Sequence, residues 1–287
     1  MRRLRAATMV TPDPDATAAL YATWFGYRHL ESGAIPAALA ARWGASAMEG
    51  RRYIVIGPES GVPIYLRFVQ GATLPRSQAL RTYGWAAIEL CVQDVRAIFA
   101  RMRNSPFTII GPPKALDGAP AIWPMQVQGP DGEIIFLTEI RADDARARLP
   151  RAQCAVDCLF IAVHACADLT ATRVWFETEL SLCGAPNFEL AYTTLSRAFG
   201  LPLDHKHRIA VLTDAGDAFL QLDQYPTAGD PRIVPPGALP PGIAVISLMA
   251  SSLPEGTREA GVIYDGARSS ILRTPDGALV ELIEEPI

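Results

Sequence analysis

The sequence predicts an α+β fold made of four copies of one strand–helix–strands unit. Two observations carry this reading. The two halves of the 287-residue chain repeat element by element, and each half holds a second copy of the same plan that closes on a Pro-Asp-Gly turn and an apolar strand. Repeats on this scale outweigh residue-by-residue propensity, because each copy is a unit that buries its apolar face against a neighbour.

The first half opens on Met9-Val10-Thr11-Pro12-Asp13, followed by an apolar helical pattern over Ala16 to Tyr27. The second opens on His164-Ala165-Cys166-Ala167-Asp168, followed by a similar pattern over Thr170 to Leu182. In both, the Asp carboxylate is placed to cap the unpaired N–H groups of the helix start. Further on, Arg51 to Ile56 matches Lys206 to Val211, and each turns into another strand, Ile64 to Gln70 and Ala218 to Gln224.

The inner copies follow the same order. Trp85 to Val92 is a strand, Asp94 to Met102 a helix, and Ile134 to Glu139 a closing strand. Ile243 to Met249 is a strand, a truncated helix is expected around Ser252 to Glu259, and Leu279 to Glu284 closes. Gly129-Pro130-Asp131-Gly132 and Thr274-Pro275-Asp276-Gly277 precede the two closing strands. Proline fixes φ and glycine accepts positive φ, so each tetrapeptide reads as a tight turn. The charged stretch Arg141 to Gln153 reads as a linker between a domain over 1–140 and another over 154–287. Six prolines between Pro226 and Gly242 make that stretch an extended loop.

Hydrophobic residues make up 49% of the chain and charged residues 20%, which suits a packed core. The net charge of −4 (26 basic against 30 acidic residues) gives no footprint for nucleic acid or an anionic membrane. No apolar run reaches transmembrane length, and Ala6 to Val10 is too short for a signal-peptide core. Five cysteines (Cys91, Cys154, Cys158, Cys166 and Cys183), odd in number and irregular in spacing, suit a reducing cytoplasm.

The strand–Asp–helix openings and the Pro-Asp-Gly turn before an apolar strand resemble the vicinal-oxygen-chelate superfamily of glyoxalases and type I extradiol dioxygenases. The resemblance spans nearly the whole chain. It implies four βαβββ units forming two cupped, mixed β-sheet half-barrels flanked by helices, with a metal held by strand residues inside the cup. At the positions the family uses for ligands this chain carries Ala6, Arg67, Ala87 and Phe136 in the first half, and Ile161, Gln221, Val245 and Glu281 in the second. A catalytic zinc or iron site needs about three His, Cys or carboxylate ligands. The second half retains one carboxylate and one amide, so no metal and no other cofactor is expected.

Taken as cups, the halves give one degenerate site, where Arg67 and Glu89 would neutralise each other, and one working site around Glu281. Leu279, Glu281 and Ile283 share a strand face, and a carboxylate among apolar residues is a candidate general acid/base. Gln221 is expected to face Glu281, and Ser247 shares the face of Val245. His205 and His207, one strand face apart from Lys206, read as a proton-relaying pair or as a solvated basic strand start. Tyr192 and Tyr225 are candidates for the wall of an aromatic pocket or ordinary core. His164, on the face opposite Ile161, reads as a core histidine. The expectation is therefore a metal-independent lyase or isomerase acting on a hydrophobic, aromatic or carbonyl-bearing small molecule. Glu281, His205 and His207 would be catalytic, and Gln221, Ser247, Tyr192 and Tyr225 would bind substrate. A non-catalytic drug- or metabolite-binding protein and a divergent extradiol dioxygenase are the alternatives, and a homodimer is compatible with each.

Overall fold

The structure is a computed structural model, and it describes residues 3–142, 148–182, 187–226, 229–253 and 255–285. Cys183 and part of the linker lie outside the described residues.

The first unit runs β1 (Leu4–Thr11), α1 (Pro14–Phe25), β2 (Arg28–Ala34), α2 (Ala37–Arg42), β3 (Arg52–Gly57) and β4 (Tyr65–Gln70). The second is β5 (Gly84–Val92), α3 (Val95–Met102), β6 (Thr108–Gly111), β7 (Ile122–Gln128) and β8 (Ile134–Ile140). The third is β9 (Val156–Cys166), α4 (Leu169–Glu179), β10 (Phe188–Ala191), α5 (Thr193–Phe199), β11 (Lys206–Asp214) and β12 (Asp217–Gln224). The fourth is β13 (Gly242–Ala250), β14 (Thr257–Arg258), β15 (Arg268–Arg273) and β16 (Leu279–Glu284).

Asp13, Asp94 and Asp168 cap α1, α3 and α4, each accepting from two backbone N–H groups of the first turn. The fourth unit departs from expectation. Its described residues between β13 and β15 form the short strand β14 and turns where a truncated helix was expected. The sequence there has a proline and a glycine at positions 254 and 256, both unfavourable in a helix interior.

The strands form two eight-stranded mixed sheets. Their composition corrects the division into cups by sequence halves. One sheet has the order β14-β15-β16-β13-β1-β4-β3-β2 and joins the first unit to the fourth. The other, β10-β11-β12-β9-β5-β8-β7-β6, joins the second unit to the third. The joins are antiparallel pairs, β1 with β13 (Ala7 opposite Ile246) and β5 with β9 (Ile88 opposite Ala162). The covalent boundary near residues 140–154 therefore divides the chain but not the sheets.

Different contacts hold each half together. Asp131, in the turn before β8, accepts hydrogen bonds from Thr11 Oγ1 (2.6 Å) and Thr17 Oγ1 (2.9 Å) at the β1–α1 junction. Asp276, in the turn before β16, accepts from Ala167 N (3.2 Å) and Thr172 Oγ1 (3.2 Å) at the β9–α4 junction. Gly132 (φ 89°) and Gly277 (φ 81°) give both turns their left-handed residue, and a Cβ on Gly132 would meet the Leu74 carbonyl oxygen at 2.4 Å. The unit-two turn thus docks on unit one and the unit-four turn on unit three, while the sheets pair one with four and two with three. Each unit touches two others in different ways, which interlocks the chain.

One core lies between the two sheets and under the helices, with Ile88, Leu90, Ala162, Leu220, Ile246 and Val280 among its residues. Two smaller cores fill the concave faces. The proline-rich stretch is the extended loop expected. Its Arg232 donates to the carbonyls of Trp85 (2.8 Å) and Ile243 (2.9 Å), one in each sheet. Trp85 Nε1 also crosses between sheets to the Leu279 carbonyl (2.8 Å).

Candidate functional site

Strand alternation sorts the side chains into the two concave faces. The face made by units one and four, here the closed cup, carries Ala6, Arg67, Val245 and Glu281 at the positions where the resemblance placed ligands. The face made by units two and three, the open cup, carries Ala87, Phe136, Ile161 and Gln221. The expected meeting of Gln221 with Glu281 does not occur, because β12 and β16 belong to different sheets. Nor does Arg67 pair with Glu89; each has a different partner in its own cup.

In the closed cup, Glu281 is fully enclosed. Its Oε2 accepts from Ser247 Oγ (2.6 Å), and its Oε1 accepts from Tyr264 OH (2.9 Å) and Trp43 Nε1 (3.3 Å). Arg67 Nη2 lies 3.6 Å from Oε2, with the two side chains 2% and 0% exposed. The guanidinium also donates through Nε to Thr8 Oγ1 (2.9 Å) and through Nη1 to Tyr264 OH (2.8 Å), and it lies 4.7 Å from the centre of the Trp43 ring. Trp43 directly follows α2, so α2 brings the indole over the pair. Ser247 thus belongs with Glu281, as its strand face implied.

The open cup has different chemistry. Glu89 on β5 and Asp223 on β12 are buried on its face, two residues along from Ala87 and Gln221. Burial pushes the Glu89 carboxyl up to about 7, against the hydrogen bond it accepts from Thr138 Oγ1. Burial likewise pushes Asp223 up to about 7; the hydrogen bond from Gln221 Nε2 (2.8 Å) opposes this and the charge of Glu89 adds to it. No cationic partner pairs with either carboxyl among the described residues.

Tyr192 and Tyr225 are buried beside them, and neither hydroxyl has a hydrogen-bond partner. Both hydroxyls feel the Asp223 charge, which with burial holds them well above their ordinary range. The helix α5 lies across this cup. Tyr192 meets Phe136 edge-on (6.1 Å, 88°), Thr194 Oγ1 donates to Gln126 Oε1 (2.8 Å), and Ser196 Oγ is 2.9 Å from His207 Nε2. His207 is buried with its pKa lowered to about 4 by burial, and His205 adds to the effect. His205, exposed, packs 4.8 Å from it.

Of the seven residues expected at the site, the open cup thus gathers Gln221, Tyr192, Tyr225 and His207, with His205 at its edge, and the closed cup holds Glu281 and Ser247. Glu89 was read only as a partner for Arg67, and Asp223 was not singled out. The signal for Asp223 was its place two residues from Gln221 on one strand face. His164 is buried between Trp85 and Phe176, 3.1 Å from Thr274 Oγ1, with burial lowering its pKa to about 3; it is the core histidine expected. A cavity of about 260 Å³ lies outside both cups, lined by Leu4, Ile64, Leu159, Phe160 and Phe219 with Arg3 and Arg148.

The overall arrangement matches solved structures across its full length. Glyoxalase I from Zea mays superposes with a TM-score of 0.62 at 15% identity, covering 99% of this chain and 92% of that one. The chain has the tandem glyoxalase fold. A proposed dioxygenase from Bacillus subtilis gives a TM-score of 0.59 at 13% identity, covering 100% of this chain and 86% of that one. No family model and no curated protein matches the sequence.

The vicinal-oxygen-chelate fold implies a metal in the cup, and the residues present do not fit one. Among the described residues no group of three or more His, Cys, Asp or Glu is placed to hold an ion. In the closed cup a guanidinium stands at a ligand position; in the open cup those positions offer one amide among Ala87, Phe136 and Ile161. No helix among the described residues is long and apolar enough to cross a membrane.

Proposed function

We propose that this chain is a metal-independent proton-transfer enzyme of the isomerase or lyase type, working in the open cup on a small carbonyl-bearing molecule. One observation carries the reading. Two buried carboxyls, both titrating near neutrality and without a cationic partner, face the same cup. A base and an acid poised near the working pH are what proton transfer requires. Perturbed carboxyls gathered in one concavity favour a functional site over a structural one. The Glu281 network, by contrast, is satisfied and sealed, which supports a structural role for it.

In this reading Asp223, ionised and steadied by Gln221, takes a proton from the carbon beside the carbonyl. Glu89, protonated, returns one at the other end of the shifted bond. One C–H bond breaks and one forms, no electrons leave the substrate, and the two carboxyls exchange protonation states. The unpartnered hydroxyls of Tyr192 and Tyr225 are available to donate to the carbonyl oxygen as negative charge builds there.

The test is a mixture of carbonyl compounds incubated with the protein in D2O and read by mass spectrometry. Deuterium should enter at an acidic carbon of one class. Asp223→Asn should abolish the exchange and Glu89→Gln should slow it by about 10²-fold or more. Exchange that survives in the double variant, or that depends on Glu281 instead, overturns the assignment. Tight retention of a compound without deuterium would point to sequestration without chemistry.

A further inference from the structure

We infer that the open cup receives an ammonium-bearing small molecule, seated between the Glu89 and Asp223 carboxylates and walled by aromatic rings. This rests on the open cup being the working site, and it names the substrate class of that site.

The two cups make the argument by comparison. The closed cup has one carboxylate, Glu281, and supplies its own cation, Arg67, with Trp43 and Tyr264 rings against the guanidinium. The open cup has two carboxyls and no cation. Thr138 and Gln221, which hydrogen-bond to them, are neutral, and His207 on the adjoining strand is held neutral. Its aromatic side chains correspond in kind: Tyr192 packs against Phe136 and His207, and Tyr225 against Phe199 and Tyr83. Ring faces attract a desolvated cation, and more strongly where water is excluded.

The two tyrosine hydroxyls, buried and without partners, are oxygen acceptors for the N–H groups of an ammonium. An anion would meet two acids and no positive charge. A neutral ligand would leave the carboxyls as they are. An ammonium supplies the missing charge, turns both acids into carboxylates, and acidifies any C–H bond beside it. The two cups would then differ in one respect only, with the cation built into the chain in one and brought by the ligand in the other.

The experiment is calorimetric titration of the full chain at pH 6 with benzylammonium, benzyl alcohol and benzoate, three probes of one size and different charge, and separately with Ca²⁺ and Mn²⁺. Benzylammonium should bind at least about tenfold more tightly than either organic counterpart. It should also release about one proton or more per molecule bound, seen as heat that depends on the buffer. Asp223→Asn and Glu89→Gln, near-isosteric changes, should each remove the preference, and the proton release from the unaltered chain needs no variant. Equal or tighter binding of the alcohol or benzoate overturns the inference, as does Ca²⁺ or Mn²⁺ displacing benzylammonium stoichiometrically. If Asp223-dependent deuterium exchange is found without a cation preference, the substrate class falls and the proton-transfer reading stands. If the preference is found without exchange, the reverse holds.

Discussion

Removing Arg67 from the closed cup tests whether the pair it makes with Glu281 is a unit. At 3.6 Å, and with an effective dielectric constant of about 20, the two charges attract by about 5 kcal/mol, set against the cost of taking both out of water. Breaking such a pair from one side leaves the other charge buried and uncompensated, at about 3–5 kcal/mol. Arg67→Met keeps the length of the stem and leaves Glu281 with the Ser247, Tyr264 and Trp43 donors. Glu281→Gln keeps an acceptor for those donors and strands the guanidinium, whose Nη2 already lacks a hydrogen-bond partner. Each single variant should lose about 3–5 kcal/mol. The double variant should lose little more than one single, giving a coupling energy of at least about 2 kcal/mol. The assay is urea unfolding followed by circular dichroism, with the midpoint falling and the slope unchanged. Additivity of the two singles within about 0.5 kcal/mol would refute the reasoning, because a pair that acts as a unit cannot lose its halves independently.

The pH dependence of stability should follow the three raised carboxyls. Burial holds Glu89 and Asp223 at about 7 and Glu133 at about 8 when folded, above their unfolded values, so the folded chain binds more protons than the unfolded one between about pH 4 and 8. Their contribution is intact below about pH 4 and is lost as pH rises through 7 to 8. Glu89→Gln, Asp223→Asn and Glu133→Gln should therefore each raise the melting temperature at pH 8 and leave it nearly unchanged at pH 4; a rise at pH 4 alone contradicts this. The docking turns should rank by their bonds. Asp131→Ala loses two short hydroxyl hydrogen bonds and should cost about 2–3 kcal/mol, whereas Asp276→Ala loses two longer ones and should cost about 1–2 kcal/mol. Thermal unfolding that reverses this order would show that the turns are held by something other than the aspartates.

The fold was legible where the physics is local. The three capping aspartates, the Pro-Asp-Gly turns and the alternation in β16 are set by residues within a few positions of each other, and all stand as read. Partnering was not legible. Which strand β1 lies beside is decided by contacts more than 200 residues away, and nothing in the sequence of β1 distinguishes β13 from β5 as its neighbour. One wrong partner moved Glu281 into a cup with Gln221 and hid the meeting of Arg67 with Glu281. The α2 segment that carries Trp43 over that pair was not read as an element at all, because six residues of helix give little periodicity.

The crossed pairing also bears on why the two cups differ. If each half of the chain formed its own cup, loss of ligands in one half would leave the other half unaffected. With units one and four sharing a cup, Arg67 comes from one end of the chain and Glu281 from the other, so their ion pair ties the termini together as well as filling a site. A cup used as a clasp in this way gains from being sealed, and its polar groups are satisfied from within. The open cup joins units already near each other along the chain, since β8 and β9 are consecutive strands. It carries no such clasp, and its two acids and two tyrosine hydroxyls are left without the partners that a purely structural core would give them. Burying such groups unpaired costs stability, and a fold that keeps them there while sealing the equivalent site is better explained by a ligand for the open cup than by packing.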